Sequence, residues 1–396
     1  MTSRENLRFG IFMPPIHEPH ENPTLCLDRD MAVIEHLDRF GFDEAWIGEH
    51  HSAGSELISC PELFIAAAAE RTKAIRLGTG VASLPYHHPL MIADRWMMLH
   101  HMTRGRAMFG CGPGSLVSDA KMMGIVPEKQ REMMEQSLSC VMRLIRGEVV
   151  TEKTEWFELN DARLQLKPYK NIMPDICTAS MVSPSGPRAA GKNGTGLLSM
   201  GATAKVALAA AADNWALAEE TATEYGFGMD RSRWRMMGMM HVAESREQAR
   251  EEAEEGLRFF VDYFDTTGTL AMVPKERRHD CVGHMIESGL AAIGTPDDAI
   301  QQIEMLWQAS GGGFGCYLIA DLNWAPFERK LKSYELFARY VMPHFQNHNS
   351  QRIAARAWAQ GRHDTFVAEH HRAVGLEFEK LAAHRERKAS ESVAAE

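Results

Sequence analysis

No stretch of the 396-residue chain approaches the roughly 18 to 20 consecutive apolar residues a bilayer-spanning helix needs, so a membrane segment is not expected. Met1 to Arg8 is polar and holds no signal-peptide core. No basic stripe and no interleaving of aromatic with basic residues occurs, and the net charge is −10, so nucleic acid is not an expected partner. C-x-x-C pairs are missing too. The seven cysteines (Cys26, Cys60, Cys111, Cys140, Cys177, Cys281 and Cys316) are scattered and odd in number, which points to reduced thiols in a cytoplasmic protein. Histidines number 18 and form the pairs His50-His51, His87-His88, His100-His101 and His370-His371. None has the H-E-x-x-H spacing, so no metal is expected. Two glycine-rich stretches also fail as nucleotide motifs. Gly110-x-Gly112-x-Gly114 lacks G-x-G-x-x-G spacing, and Gly191 to Gly196 lacks the Lys-Ser/Thr ending of a phosphate loop.

What is present is globular: 45% hydrophobic and 24% charged residues, enough for a large core. The 25 methionines give soft, adaptable pockets suited to a flat or greasy ligand. Strand-like and helix-like segments alternate. Strands are expected at Leu7–Met13, Glu44–Ile47, Ile75–Ala82, Arg106–Cys111, Asp175–Ala179, Gly196–Met200, Arg235–Ala243 and Gly315–Ala320. Helices follow each, among them Thr24–Phe40, Pro61–Lys73, Pro89–Met102, Pro127–Arg146 and Pro184–Lys192. Eight strands, each with its helix, argue for an α/β fold closed as a (β/α)8 TIM barrel over residues 1–345. Residues 148–172 and 265–294 read as insertions, the second as a mobile excursion, and 346–396 as a helical C-terminal extension with a polar tail.

The segment Gly41-Phe42-Asp43-Glu44-Ala45-Trp46-Ile47-Gly48 ends in Glu49-His50-His51, two imidazoles where a barrel strand would stop. Strand ends of this kind point into TIM-barrel active sites, so His50 is a candidate base, with Glu49 or His51 to orient it. The same tripeptide recurs as Glu369-His370-His371, but among charged helical neighbours, where a solvated face is the better reading. Glycines or small polar residues also close three further strands: Gly78 to Pro85, Gly110 to Ser115, and Thr178-Ala179-Ser180-Met181-Val182-Ser183-Pro184. Each alone reads as turn chemistry, but four on one face favour a large planar ligand. A helix starting at Pro184 would aim its positive end at a ligand phosphate, with Ser180 and Ser183 adding hydroxyls and Arg131 adding charge or, alternatively, pairing with Glu128 or Glu135.

In order, Gly-Phe-Asp-x-x-Trp-Ile-x-Glu-His-His, Gly-Thr-x-x-x-x-Leu-Pro-x-x-His-Pro, Gly-Arg-x-x-Phe-Gly and a Ser-Pro before a helix resemble the bacterial luciferase-like flavin-dependent monooxygenases over about residues 7–345. Within that family, Gly112 to Ala120 is most similar to the limonene 1,2-monooxygenase group. The resemblance implies reduced flavin (FMN or FAD) from a separate NAD(P)H:flavin reductase, O2, a small hydrophobic substrate such as a monoterpene, and a homodimer or higher homo-oligomer. It implies epoxidation through a flavin C4a-hydroperoxide, with Baeyer–Villiger oxygenation of a cyclic ketone as the alternative. The rivals are hydride transfer with F420 and flavin binding without turnover. His50 matches the family's active-site histidine, and a non-prolyl cis peptide would fall at Gly80-Val81 beside the flavin. Gly112 stands where luciferase has a cysteine and Pro113 where it has a phosphate-contacting arginine. These departures shift phosphate binding toward Arg131, Ser180 and Ser183, with Gly80, Val81, Gly112 and Met181 also expected at the cofactor.

Overall fold

The computed structural model describes residues 3–268 and 271–393, which form two compact units, residues 1–346 and 347–396. Eleven strands occur among the described residues: β1 (Arg8–Met13), β2 (Glu44–Ile47), β3 (Arg76–Ser83), β4 (Ala107–Gly112), β5 (Val150–Lys153), β6 (Glu158–Ala162), β7 (Asp175–Ser180), β8 (Gly196–Ser199), β9 (Trp234–Val242), β10 (Ala291–Gly294) and β11 (Cys316–Ala320). Eight of them pair in parallel as β1-β2-β3-β4-β7-β8-β9-β11, and β11 returns to β1 with Arg8 opposite Cys316. The ring is therefore closed, a (β/α)8 barrel. β1, β4 and β11 are almost wholly buried, as strands covered on both faces must be.

The helices begin where the sequence gives them a start. Proline occupies the first turn at Pro23, Pro61, Pro89 and Pro296, where its missing N–H is no loss. Asn22 Oδ1 caps Thr24 N at 3.0 Å, and Thr295 with Asp298 forms a capping box. Gly41 ends the first helix with φ of 78°, which an L side chain would resist.

The barrel interior is filled, not hollow. Trp46 is fully buried there, and a Cβ on Gly78 would come within 2.6 Å of its ring. Gly80 and Gly110 are likewise tight against Trp46, so these strand glycines make room for an indole. Below it, the fully buried Arg235 binds both oxygens of Glu44 at 2.9 Å and Asp175 Oδ2 at 2.5 Å, and its guanidinium lies 5.2 Å from the Trp46 ring centre. Burial alone would raise the pKa of Glu44, but Arg235 and Arg8 bring it down to about 2.

Two elements differ from the sequence reading. Residues 148–172 carry the antiparallel hairpin β5–β6. The described residues of 265–294 are structured; Thr269 and Leu270 lie outside the described residues. The helix Arg246–Thr266 runs into them, a short helix follows at Cys281–Glu287, and β10 pairs in parallel with the second half of β9. Val273, Cys281, Val282 and Met285 are buried in a second cluster with Leu257, Phe260 and Tyr263. The charge of Lys275 to Arg278 hides these apolar anchors, which are too short and irregularly spaced to show a period.

In residues 347–396, helix Ser350–Gln360 is followed by helix His363–Val393. His370 and His371 are exposed on the second of these.

Candidate active site

Parallel strands send all their C-terminal ends to one mouth, and Glu49-His50-His51, Asp119 and Ser180 stand just beyond or at such ends. Two carboxylates organise the tripeptide, and neither was part of the sequence-based assignment for His50. Asp119, in the helix Val117–Met122 after β4, is buried. Its Oδ2 lies 3.0 Å from His50 Nδ1, and its Oδ1 accepts from His51 N at 3.0 Å and Ser52 Oγ at 2.5 Å. Burial pushes Asp119 up, but these donors outweigh it and hold it below the usual carboxylate range. Glu56, in the loop after β2, places Oε2 3.3 Å from His50 Nε2 and accepts at Oε1 from Tyr263 OH at 2.6 Å. Burial works against charge on His50, yet Glu56 and Asp119 together raise its pKa.

Glu49 does not touch His50, a correction to the expected orienting role. Its Oε1 meets His51 Nε2 at 3.0 Å and His87 Nε2 at 2.7 Å, and its Oε2 accepts from Ser83 N at 2.6 Å. An Arg95 guanidinium N–H reaches His87 Nδ1 at 3.0 Å, so His87 keeps its proton on Nε2, toward Glu49. Glu49 thus stays ionised: burial raises its pKa, and the bonds from His51 and His87 more than reverse that. Side-by-side position in the chain implied one triad. The loop instead sends Glu49 inward to β3 and His50 outward to β4. His51 also meets Tyr86 edge-on, with ring centres 5.8 Å apart. Burial, with Asp119 nearby, pushes the Tyr86 phenol up to about 12. Nothing in the sequence flagged Glu56, His87 or Tyr263, since each comes from a different loop or helix. Asp119 lay within a quoted motif, but its contact with His50 is long-range.

The remaining candidates divide. The Gly80-Val81 peptide is cis. Gly112 packs on Val81, where a Cβ would come 2.7 Å from Val81 Cγ2. Ser180 is buried, and its Oγ has no hydrogen-bond partner among the described residues. The helix Ser185–Asn193 starts a few residues on with no side-chain cap on its first N–H groups except Ser183 Oγ, which accepts from Ser185 N at 3.3 Å. Met181 and Ser183 are exposed. Arg131 is exposed as well, with no ion pair among the described residues and no contact to Ser180 or Ser183, so the geometry does not gather it into the site. Along the barrel wall Phe12, Leu198, Val81, Met200 and Met237 form an apolar cluster. One three-donor group, His17, Glu21 and Cys26, occurs elsewhere among the described residues. Arg29 already bonds Glu21 and Cys26 there, and Asp30 holds His17. No described helix is long and apolar enough to cross a membrane.

Comparison with known proteins identifies the family and the fold. A family model described as luciferase-like monooxygenase matches residues 7–313. Limonene 1,2-monooxygenase of Rhodococcus erythropolis is 45% identical over 347 residues, covering 87% of this chain and 88% of that one. The 4-hydroxyprotoasukamycin monooxygenase of Streptomyces nodosus subsp. asukaensis is 42% identical, covering 89% and 96%. Among solved structures, the oxygenating constituent of 3,6-diketocamphane monooxygenase from Pseudomonas putida, in complex with FMN, shares the fold with a TM-score of 0.71 at 24% identity, covering 85% of this chain and 98% of that one.

Proposed function

The chain belongs to the luciferase-like monooxygenase family, and on that premise we propose that it uses reduced flavin from a separate reductase, with O2, to oxygenate a small hydrophobic alkene of the monoterpene class. The observation that carries the reading is the 45% identity to a limonene 1,2-monooxygenase along nearly the whole of both chains.

The residues present fit a flavin. Ser180 offers a buried hydroxyl with no hydrogen-bond partner among the described residues, near a helix start where only Ser185 N meets a side chain, which is what a phosphate needs. Gly112, lacking a side chain, lets Val81 pack directly against the β4 backbone. When bound, reduced flavin supplies the electrons that divide O2 between product and water. The chain supplies the rest. Ser180 and the start of helix Ser185–Asn193 hold the phosphate end. Val81, Met200 and Met237 offer an apolar wall that excludes water and adapts to a hydrocarbon. His50 holds a proton at its ring, fixed through Nδ1 by Asp119. The buried Glu49, with the half-buried His51 and His87, forms a second group that sets the path of the loop.

The test is direct. Chemically reduced FMN, FAD and F420 are supplied separately with O2 and limonene, and products are separated by gas chromatography. Epoxide with FMN or FAD supports the reading, and substrate returned unchanged with both overturns it. A second reading, lactone formation from a cyclic ketone, is favoured by 27% identity to 2,5-diketocamphane 1,2-monooxygenase 1 of Pseudomonas putida. A camphor-derived diketone in the same assay distinguishes it.

A further inference from the structure

Both ring nitrogens of His50 face carboxylates, and the two carboxylates are not alike. Asp119 receives three donors, from the His50 ring, the His51 N–H and the Ser52 hydroxyl. Glu56 is 8% exposed and receives one, the Tyr263 hydroxyl at 2.6 Å, on Oε1. Among the described residues its other oxygen, Oε2, has no hydrogen-bond partner, and it lies 3.3 Å from His50 Nε2, near enough for an ion pair but outside hydrogen-bond geometry. A buried carboxylate oxygen without a donor is poorly stabilised as an anion. The remedy available at that place is a proton, and the nearest one is on His50. Because Tyr263 keeps Oε1 occupied, the oxygen left to receive it is the one aimed at the imidazole.

We propose that Glu56 is a positioning residue that takes and returns the Nε2 proton of His50, with Tyr263 choosing the oxygen. In one state Nε2 carries the proton and the imidazolium lies between two carboxylates. In the other the N–H bond has broken and an O–H bond has formed at Glu56 Oε2. The electron pair stays on Nε2, and the neutral ring keeps its Nδ1–H for Asp119. No oxidant or reductant enters. The inference rests on the proposed oxygenase for its role in turnover, but the proton pair itself exists in the free chain. Asp119 and Glu56 are in contact with His50, and Glu49 adds its charge from further off, with His51 alongside. Burial pushes the Glu56 carboxyl up, and His50 and Tyr263 only partly offset that. Burial, with Glu56 adjacent, also raises the Tyr263 phenol, which keeps its donor.

The experiment is a pH titration of the flavin-free full chain, labelled with 15N-histidine, the His50 signals being assigned by their loss in His50→Gln. In the native chain His50 should titrate above the ordinary histidine value. Glu56→Gln should lower its midpoint by about one pH unit, roughly a tenfold loss of proton affinity. Tyr263→Phe, which leaves the charge in place, should lower it by less, because Glu56 then holds the proton more firmly. A thermal melt checks that each variant is folded. A His50 midpoint unmoved in both variants overturns the proposal, and if Glu56→Gln does not fold, an unmoved midpoint in Tyr263→Phe overturns it alone. A chain that shows these shifts yet oxygenates nothing would sink the proposed reaction while leaving the proton pair intact.

Discussion

Removing the imidazole in His50→Ala should slow turnover by roughly 10²–10⁴-fold, the usual size of a general acid–base contribution, while flavin binding stays close to native. His370→Ala, on an exposed helix, should change nothing. Equal losses in the two steady-state assays would defeat the assignment. Ser180→Ala should weaken reduced FMN but not reduced riboflavin. A single neutral hydrogen bond is worth about 0.5–1.5 kcal/mol, so the expected loss is roughly two- to tenfold by titration. Charge made Arg131 the stronger candidate in the sequence. In the structure it is exposed and touches neither serine, so Arg131→Ala should cost less than Ser180→Ala, and the reverse order would show a movement on binding. His50 was legible because a strand end is a local signal. Its partners were not, because Asp119 stands on a short helix 69 residues away and Glu56 in a loop 6 residues away, and neither the fold that joins them nor side-chain direction within a loop has a period to read.

Elements were legible in proportion to their regularity. The eight ring strands and their helices follow apolar runs, proline starts and a glycine stop, each with a local physical cause. The short helix Val117–Met122 and the four-residue β10 escaped, since neither is long enough to show a repeat. The segment before β10 matters for stability. Met285 is fully buried in the cluster that also holds Tyr263. Met285→Ala should therefore destabilise the fold by about 2–5 kcal/mol, seen as a lower urea midpoint. A midpoint within error of native would favour the sequence-based expectation of 265–294 as a mobile excursion. Because helix Arg246–Thr266 carries both part of that cluster and Tyr263, the same substitution should also broaden the His50 titration.

At the scale of the molecule, the buried group at the barrel's base sets its acid limit. Glu44 has an ordinary carboxylate value of 4.5 when exposed and about 2 in the fold. A depressed folded value stabilises above the unfolded one, and that stabilisation is lost as pH falls from about 4.5 toward 2. Melting temperature should be insensitive to this group from neutral pH down to about 5, then drop steeply. Glu44→Gln should flatten the drop and lower stability at pH 7 by about 3–5 kcal/mol, because Arg235 is left buried without its full counter-charge. A native-like acid profile in that variant would place the titration elsewhere.

The closure of the ring also has a meaning in time. β1 leaves the ribosome before the other strands of the barrel, and its partner on one side, β11, is about 300 residues behind, with Arg8 opposite Cys316. At about 5–20 residues per second that is roughly 15–60 s of translation during which β1 presents an open edge. A transcript cut before codon 316 never supplies the partner. Its product should gather on chaperones or in inclusion bodies, however faithfully its upstream strands are encoded.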